Sequence, residues 1–269
     1  MTTRAFYRHL GGNWFEPTEH AEGAWNPEQQ HMAAACGLLA QELERHVELQ
    51  DGPTPAGPAK RFARLAFDIM GLLHGGRFQV IVETIRPGKT IELIQAVMVK
   101  DGRELLVLRA WRLMTSNSAE MEGYEDTDIP GPAECEPYPE MTKWPGGFIR
   151  ATTFRQSARS RPGNGVVWMT TKHDVCEGRE TSPFARLMGM ADTTNGVMPR
   201  GSKDEWMFPN VDLTVYLYRE PAGDWIGFDV QQSIGPDGIG VTSTVLHDTS
   251  GPFGRAEQIL TVRDMRSHP

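Results

Sequence analysis

Cysteine is scarce in this chain of 269 residues, and long apolar runs are missing. The three cysteines, Cys36, Cys135 and Cys176, form no CxxC pair and have no matching pair of histidines. This pattern argues against a disulfide framework and against a zinc site. No apolar run approaches the roughly 20 residues that a membrane helix needs, and the first residues lack the hydrophobic segment of a signal peptide. We therefore expect a cytoplasmic protein that does not bind a membrane.

Basic residues are absent from one long segment, which runs from Ala119 to Glu140. It holds eight of the 35 acidic residues and four prolines, so the charges in the rest of the chain balance and the net charge of -8 belongs to this segment. Such a composition has too little apolar surface to order itself, which predicts a solvated linker. The balanced remainder has no broad basic surface, and we expect no nucleic-acid partner.

A helix followed by a meander of antiparallel strands occurs twice in the chain, which predicts an α+β fold made of two fused halves. Each half should wrap its sheet around its helix, and the function should lie where the halves meet. The predicted domains are residues 1–118, a linker at 119–146, and residues 147–269. The predicted elements of the first half are a helix at 26–47 and strands at 61–70, 77–86, 90–100 and 104–113. Those of the second half are a helix at 182–192 and strands at 211–219, 224–233, 240–247 and 255–263.

Both helices have N-terminal signals. Asn26 is a good N-cap, Pro27 suits the first helical position, and Gln29 can complete a capping box. Ser182 followed by Pro183 repeats the entry in the second half.

Four stretches of the second half carry a resemblance to a known family: PNVDLTVYLYR (209–219), DWIGFDVQQSIGPDGIG (224–240), LHDTSG (246–251) and AEQILTVR (256–263). They resemble the C-terminal half of medium-chain acyl-CoA thioesterases of the TesB type, which are double-hotdog enzymes. The first half, with GAWNPEQQHMAAACGLLAQELE as its wrapped helix, is similar to their N-terminal hotdog. The resemblance implies a double hotdog that hydrolyses an acyl-CoA, or another acyl thioester, in lipid metabolism. It implies no metal and no cofactor other than the CoA of the substrate.

In that family, a carboxylate just after the second helix, a hydroxyl on the next strand and a glutamine on the last strand orient a water against the thioester. Carried over, the carboxylate falls on Asp212 and the glutamine on Gln258. The hydroxyl position falls on Gln232, with Ser233 beside it, where the family usually has Ser or Thr. This departure leaves hydrolysis open, because Ser233 faces the other side of a regular strand.

The family resemblance also places an oxyanion site at the start of the first helix. Relatives often carry His-Gly-Gly where this chain has His31, Met32 and Ala33. Backbone amides at a helix N-terminus can stabilise an oxyanion, so the amides of Met32 and Ala33 are candidates. His31 could instead be a capping residue.

Each candidate has a structural alternative. Asp212 could be a solvated turn residue, and Gln258 an exposed residue of a terminal strand. Asp192, at the end of the second helix, could line the pocket or be an exposed helix-end carboxylate. Arg64 stands opposite Asp212 when the halves are aligned, so one working site is expected in each chain.

Three other functions stay open at this stage. The protein could bind acyl thioesters without hydrolysing them. The segment from Asn26 to His31 faintly resembles the signature of hotdog hydratases, but the Asp of that signature is missing. A serine hydrolase has little support because there is no GxSxG motif. Since exposed hotdog sheets often pair, we expect a homodimer.

Overall fold

Fourteen strands form one sheet in the computed structural model, which describes residues 4–52 and 59–267. The strands in the first part of the chain are β1 (Ala5–Gly11), β2 (Trp14–Pro17), β3 (Lys60–Ile69), β4 (Phe78–Arg86), β5 (Ile91–Lys100), β6 (Arg103–Met114), β7 (Glu136–Pro137) and β8 (Thr152–Gln156). Those in the second part are β9 (Asn164–Thr171), β10 (Asp174–Cys176), β11 (Trp206–Met207), β12 (Asp212–Leu217), β13 (Ile226–Ile234), β14 (Ile239–Asp248), β15 (Gly251–Thr261) and β16 (Arg263–Asp264). The order across the fourteen-stranded sheet is β10-β1-β2-β4-β5-β6-β3-β12-β15-β14-β13-β9-β8-β7, and β11 pairs with β16 separately.

The sheet contains the predicted duplication. The order β4-β5-β6-β3 in the first half matches β13-β14-β15-β12 in the second, and all these strands are antiparallel. The halves join where β3 pairs with β12, with Ala66 opposite Thr214. All eight predicted strands are present, and the double-hotdog prediction is confirmed.

Two helices cross inside the curve of the sheet. The α-helices of the described residues are α1 (Met32–Asp51), α2 (Gly147–Arg150), α3 (Pro183–Ala191) and α4 (Thr194–Val197), and the two that cross are α1 and α3. α1 and α3 meet at Gly37 and Gly189, where a Cβ on Gly37 would lie 2.8 Å from the Cα of Gly189. Only glycine permits this approach, which packs the two helix backbones together. None of the described helices is long and apolar enough to cross a membrane.

The first helix begins later than its sequence signals predict. The Asn26 side chain accepts a hydrogen bond from the Glu28 amide, so it forms a local turn and caps no helix. The Gln30 amide then donates to the carbonyl of Leu73, which keeps this stretch extended. The N-cap is His31, and the predicted start at residue 26 was wrong because a tertiary contact uses the intervening backbone. Ser182 caps α3 as predicted, accepting from the Ala185 amide.

The acidic segment lies along the second half of the sheet. Most of its residues are exposed. Its backbone nevertheless receives two hydrogen bonds, from the Trp168 indole to the Pro130 carbonyl at 2.8 Å and from Arg155 to the Pro132 carbonyl at 2.6 Å. Trp168 belongs to a small cluster separate from the main core. The segment is therefore solvated but held against the outer face of the sheet, and near its end it joins the sheet as β7, which pairs with β8. The domain boundaries stay a prediction.

Candidate active site

The turn after α3 brings a carboxylate into the interior. The residues that precede it, Met190 and Ala191, are fully buried, so α3 ends inside the protein and its C-cap, Asp192, is only 4% exposed. Burial disfavours the charged form and raises the pKa of Asp192 from 3.8 to about 7. Asp192 is thus poised to accept a proton near neutral pH, and the helix-end alternative of an exposed carboxylate does not hold.

Two side-chain amides hold one oxygen of this carboxylate. Asn210 donates to Asp192 Oδ1 at 2.7 Å, and Gln258 donates to the same oxygen at 3.1 Å. Both bonds favour the ionised form and partly offset the effect of burial on the pKa. No donor from the described residues reaches Oδ2, which is therefore the oxygen available to a water or a substrate.

Gln258 is itself fixed by the turn that follows Asp192. Thr194 donates its hydroxyl to Gln258 Oε1 at 2.6 Å, which directs the amide nitrogen toward Asp192. That nitrogen also donates to the Asp192 carbonyl at 3.3 Å. Gln258 is buried and faces inward, so the alternative of an exposed strand residue is excluded. Both the oxygen and the nitrogen of the Gln258 side chain have protein partners, and the nitrogen holds the Asp192 carboxylate in place.

The predicted pairing of Asp212 with Gln258 was wrong. Asp212 is half-buried, and its Oδ1 accepts a hydrogen bond from the Ile259 amide at 2.7 Å. The Asp212 carboxylate thus links β12 to β15, whereas the Gln258 side chain faces the interior and bonds to Asp192. The family description of a carboxylate just after the second helix fits Asp192, which follows α3 directly. The position of Asp192 directly after the second helix is visible in the sequence, but alignment of the strands had assigned the acid to Asp212.

Gln232 lies in the same buried cross-strand row as Gln258, with Thr242 between them. Its side-chain nitrogen donates to the Asn195 carbonyl at 3.1 Å, and its side-chain oxygen accepts from the Arg200 amide at 2.9 Å. The Gln232 amide therefore ties the loop after Asp192 to β13, and it does not meet the Asp192 carboxylate. The prediction that it orients water has no support in this geometry.

Ser233 does not replace the missing hydroxyl. It is exposed on the opposite face of β13, because β13 continues without a bulge through this position. The hydroxyl next to Gln258 comes instead from Thr194, on the turn after α3. Neither Thr194 nor Asn210 was predicted from the sequence; Asn210 lies in the stretch PNVDLTVYLYR (209–219), and no motif marks Thr194.

His31 caps α1 and is neutral. Its Nδ1 accepts a hydrogen bond from the Ala33 amide at 3.2 Å, which assigns the ring proton to Nε2. Burial lowers the pKa of His31 to about 3, and its ring stacks on Phe148 with 4.0 Å between ring centroids. The Ala33 amide is consumed by this cap and is not free for an oxyanion. Met32, as the first helical residue, has no acceptor within the helix for its amide.

A cavity of about 170 Å³ lies between the two halves and joins these groups. His31 and Met32 line it from the first half, and Asp192, Asn195 and Asn210 line it from the second. The structure therefore brings two of the three predicted oxyanion residues, His31 and Met32, to Asp192, whose position the sequence had left open. Gln258 and Ala33 lie behind this surface.

The equivalent position in the first half has no acid. Gly37 and Gly189 are equivalent at the helix crossing, so Ala40 corresponds to Asp192. The strand register likewise makes Ala110 the equivalent of Gln258. Both replacements are alanines, which supports one working site in each chain.

Comparison with known proteins agrees with the fold. The family profile described as acyl-CoA thioesterase N-terminal domain matches residues 21–113, and the one described as acyl-CoA thioesterase C-terminal domain matches residues 132–262. No curated protein matches the sequence.

Solved structures show the same fold at low sequence identity. An acyl-CoA thioesterase II, TesB2, from Mycobacterium marinum is 15% identical, with 96% of each chain covered and a TM-score of 0.66. A tesB protein from Mycobacterium avium subs paratuberculosis is 14% identical, covering 96% of this chain and 95% of that one, with a TM-score of 0.65. A conserved protein of unknown function with a hot dog fold, from Alicyclobacillus acidocaldarius, is 13% identical, with 95% of each chain covered and a TM-score of 0.72.

Proposed function

Since this chain belongs to the acyl-CoA thioesterase family, we propose that it hydrolyses an acyl-CoA to the free acid and CoA in the cavity beside Asp192. One observation carries the proposal. Asp192 is a buried carboxylate with a pKa of about 7, and amides hold one of its oxygens while the other has no donor from the described residues. This arrangement suits a general base that works at neutral pH.

The proposed reaction needs only these groups and water. Asp192 takes a proton from a water at Oδ2 as the water oxygen attacks the thioester carbon. The negative charge that develops on the carbonyl oxygen is stabilised by the Met32 amide and the Nε2–H of His31, at the positive end of α1. The C–S bond then breaks, and the CoA sulfur takes the proton from Asp192. The acid and the thiol leave, and the carboxylate is restored.

A direct assay tests the function. Purified protein is incubated with a series of acyl-CoAs, and thiol release is followed with a chromogenic thiol reagent. We expect turnover that depends on protein concentration. Binding of the esters without thiol release would overturn hydrolysis. The protein would then bind acyl thioesters without cleaving them, an alternative that also fits the lack of a hydroxyl at position 232.

The pH dependence of the rate reports on Asp192. We expect kcat/KM to fall about tenfold for each pH unit below about 7 and to level off above it, because only the ionised carboxylate accepts a proton. His31 is neutral above about pH 3 and adds no step in this range. The measurement is kcat/KM from pH 5 to 9 in buffers of constant ionic strength. A flat profile would contradict the role of Asp192 as base.

We also propose that two chains pair as a cytoplasmic homodimer through the exposed face of the sheet. Val241 and Ile259 lie side by side on neighbouring strands, and each is 37% exposed. Exposed apolar pairs of this kind suit an interface. Light scattering after gel filtration should give a mass near 60 kDa, about twice that of the 30.0 kDa chain. Replacing both residues by Lys should yield the monomer, and a wild-type mass of 30 kDa would contradict the dimer.

A further inference from the structure

One part of the cavity wall is apolar and aromatic. It is built from three separate stretches: the loop before α1 with the first residue of α1, the end of β3 with the residues that follow, and the segment that leads into α2 with α2 itself. The side chains that matter for its shape are Trp25, Met32, Leu73, Met141, Trp144 and Ile149. Such a wall suits the acyl group of the substrate.

The cavity is small for an acyl-binding site. Its volume is about 170 Å³, and an apolar cavity of roughly 150 Å³ in another protein holds one molecule of benzene. An acyl group the size of one aromatic ring, or about six carbons, therefore fills it. A longer chain has to displace part of the wall.

Trp144 closes the cavity within an aromatic cluster. Its ring meets that of Trp25 edge-on with 4.8 Å between centroids, and Phe208 packs edge-on against Trp25 at 5.2 Å. Only 9% of the Trp144 surface is exposed. Of these rings, those of Trp25 and Trp144 line the cavity, and they also favour an aromatic guest, because pairs of aromatic rings are attractive beyond the area they bury.

The segment that carries Trp144 is anchored by two glycines. A Cβ on Gly146 would lie 2.4 Å from the carbonyl oxygen of Gly23, and one on Gly147 would overlap the carbonyl oxygen of Glu19. Gly146 also has a φ of +95°, which side chains rarely adopt. The segment thus packs directly on the backbone before α1, so Trp144 is a fixed wall of the cavity.

We infer that this site takes compact acyl groups, of about six carbons or one aromatic ring, and that Trp144 sets this limit. The inference rests on the proposed function for the identity of the thioester, and it adds the class of acyl group. The family resemblance by itself leaves the length of the acyl chain open, so the limit comes from the cavity.

For each protein, the kcat/KM values of different acyl-CoAs are compared as ratios, so a small loss of folded protein cancels in each ratio. Wild type is assayed with butyryl-, hexanoyl-, phenylacetyl-, decanoyl- and palmitoyl-CoA. We expect the highest kcat/KM for hexanoyl- and phenylacetyl-CoA, and a value at least tenfold lower for decanoyl-CoA. Trp144→Ala should raise the decanoyl-to-hexanoyl ratio of kcat/KM at least tenfold. A wild type that prefers decanoyl-CoA, or an unchanged ratio in the variant, would overturn the inference.

Two further variants complete the design. Trp111→Ala is the matched control, because Trp111 lies on β6 and packs on Arg86 away from the cavity; its ratio should equal that of wild type. Should Trp144→Ala fail to fold, Met141→Ala removes bulk from the same wall and should shift the ratio in the same direction.

Binding separates this inference from the proposed function. The Kd of each ester is measured by calorimetry on Asp192→Asn, which should hydrolyse it roughly 10²- to 10⁴-fold more slowly than wild type. Tighter binding of hexanoyl- and phenylacetyl-CoA than of decanoyl-CoA supports the size limit even if wild type shows no hydrolysis of any ester. Equal or tighter binding of decanoyl-CoA overturns the size limit even if hydrolysis is established.

Discussion

Asp192→Asn should lower kcat by roughly 10²- to 10⁴-fold, the usual contribution of a general base. The substitution keeps the shape of the side chain, and its carbonyl oxygen can still accept from Asn210 and Gln258. It removes the ability to take a proton from water. The KM for an acyl-CoA should change little, because the lost interaction belongs to the transition state.

The matched control is Asp212→Asn, which makes the same chemical change on the half-buried carboxylate at the edge of β12. It should keep nearly the full rate. A slow Asp212 variant beside an active Asp192 variant would restore the assignment made from the sequence. Any rate loss must be read beside thermal melting, which should show both variants folded.

The pH dependence of the melting temperature provides a second measurement on Asp192→Asn. Since the pKa of Asp192 is raised in the folded state, the folded protein binds a proton that the unfolded chain releases between about pH 4 and 7. The contribution of Asp192 to stability therefore falls as the pH rises through that window. The Asn variant lacks this decline, so its melting temperature relative to wild type should increase from pH 5 to pH 8.

Gln232→Thr should destabilise the protein and slow hydrolysis, although it restores the hydroxyl that relatives carry. Gln232 is 1% exposed, and its side chain satisfies the Asn195 carbonyl and the Arg200 amide. Threonine is too short to reach both, and each buried polar group left without a partner costs about 1–3 kcal/mol. We expect the free energy of unfolding to fall by about 2–4 kcal/mol.

The rate should fall as well, because the loop that Gln232 fixes begins at the turn that carries Asp192 and Thr194. The matched control is Gln231→Thr, the same substitution on the exposed face of the same strand. It should alter stability by no more than about 0.5 kcal/mol. Urea unfolding and the thiol-release assay provide the measurements. A Gln232 variant that is stable and faster than wild type would show that position 232 belongs to the catalytic machinery.

The strands and the duplication could be predicted because they depend on local patterns. Alternation such as that of Leu213, Val215 and Leu217 is written in neighbouring residues, and turn signals separate the strands. The cap at Ser182 is equally local. The start of α1 failed because Gln30 bonds to Leu73, a contact between residues 43 positions apart in the chain. A good local signal at Asn26 was overridden by that pairing.

The identity of the proposed catalytic carboxylate likewise depends partly on the sequence and partly on the tertiary structure. Asp192 and Asp212 both follow the second helix, and their side chains are chemically identical, so the sequence by itself determined only that a carboxylate lies in this region. The tertiary structure decided between them, because α3 ends in the interior and raises the pKa of Asp192, whereas the Asp212 carboxylate bonds to the Ile259 amide. The sequence likewise determined the fold, the duplication and the glutamine on the last strand. Which groups surround that glutamine, and how large the cavity beside them is, depend on residues far apart in the chain, and only their packing brings them together.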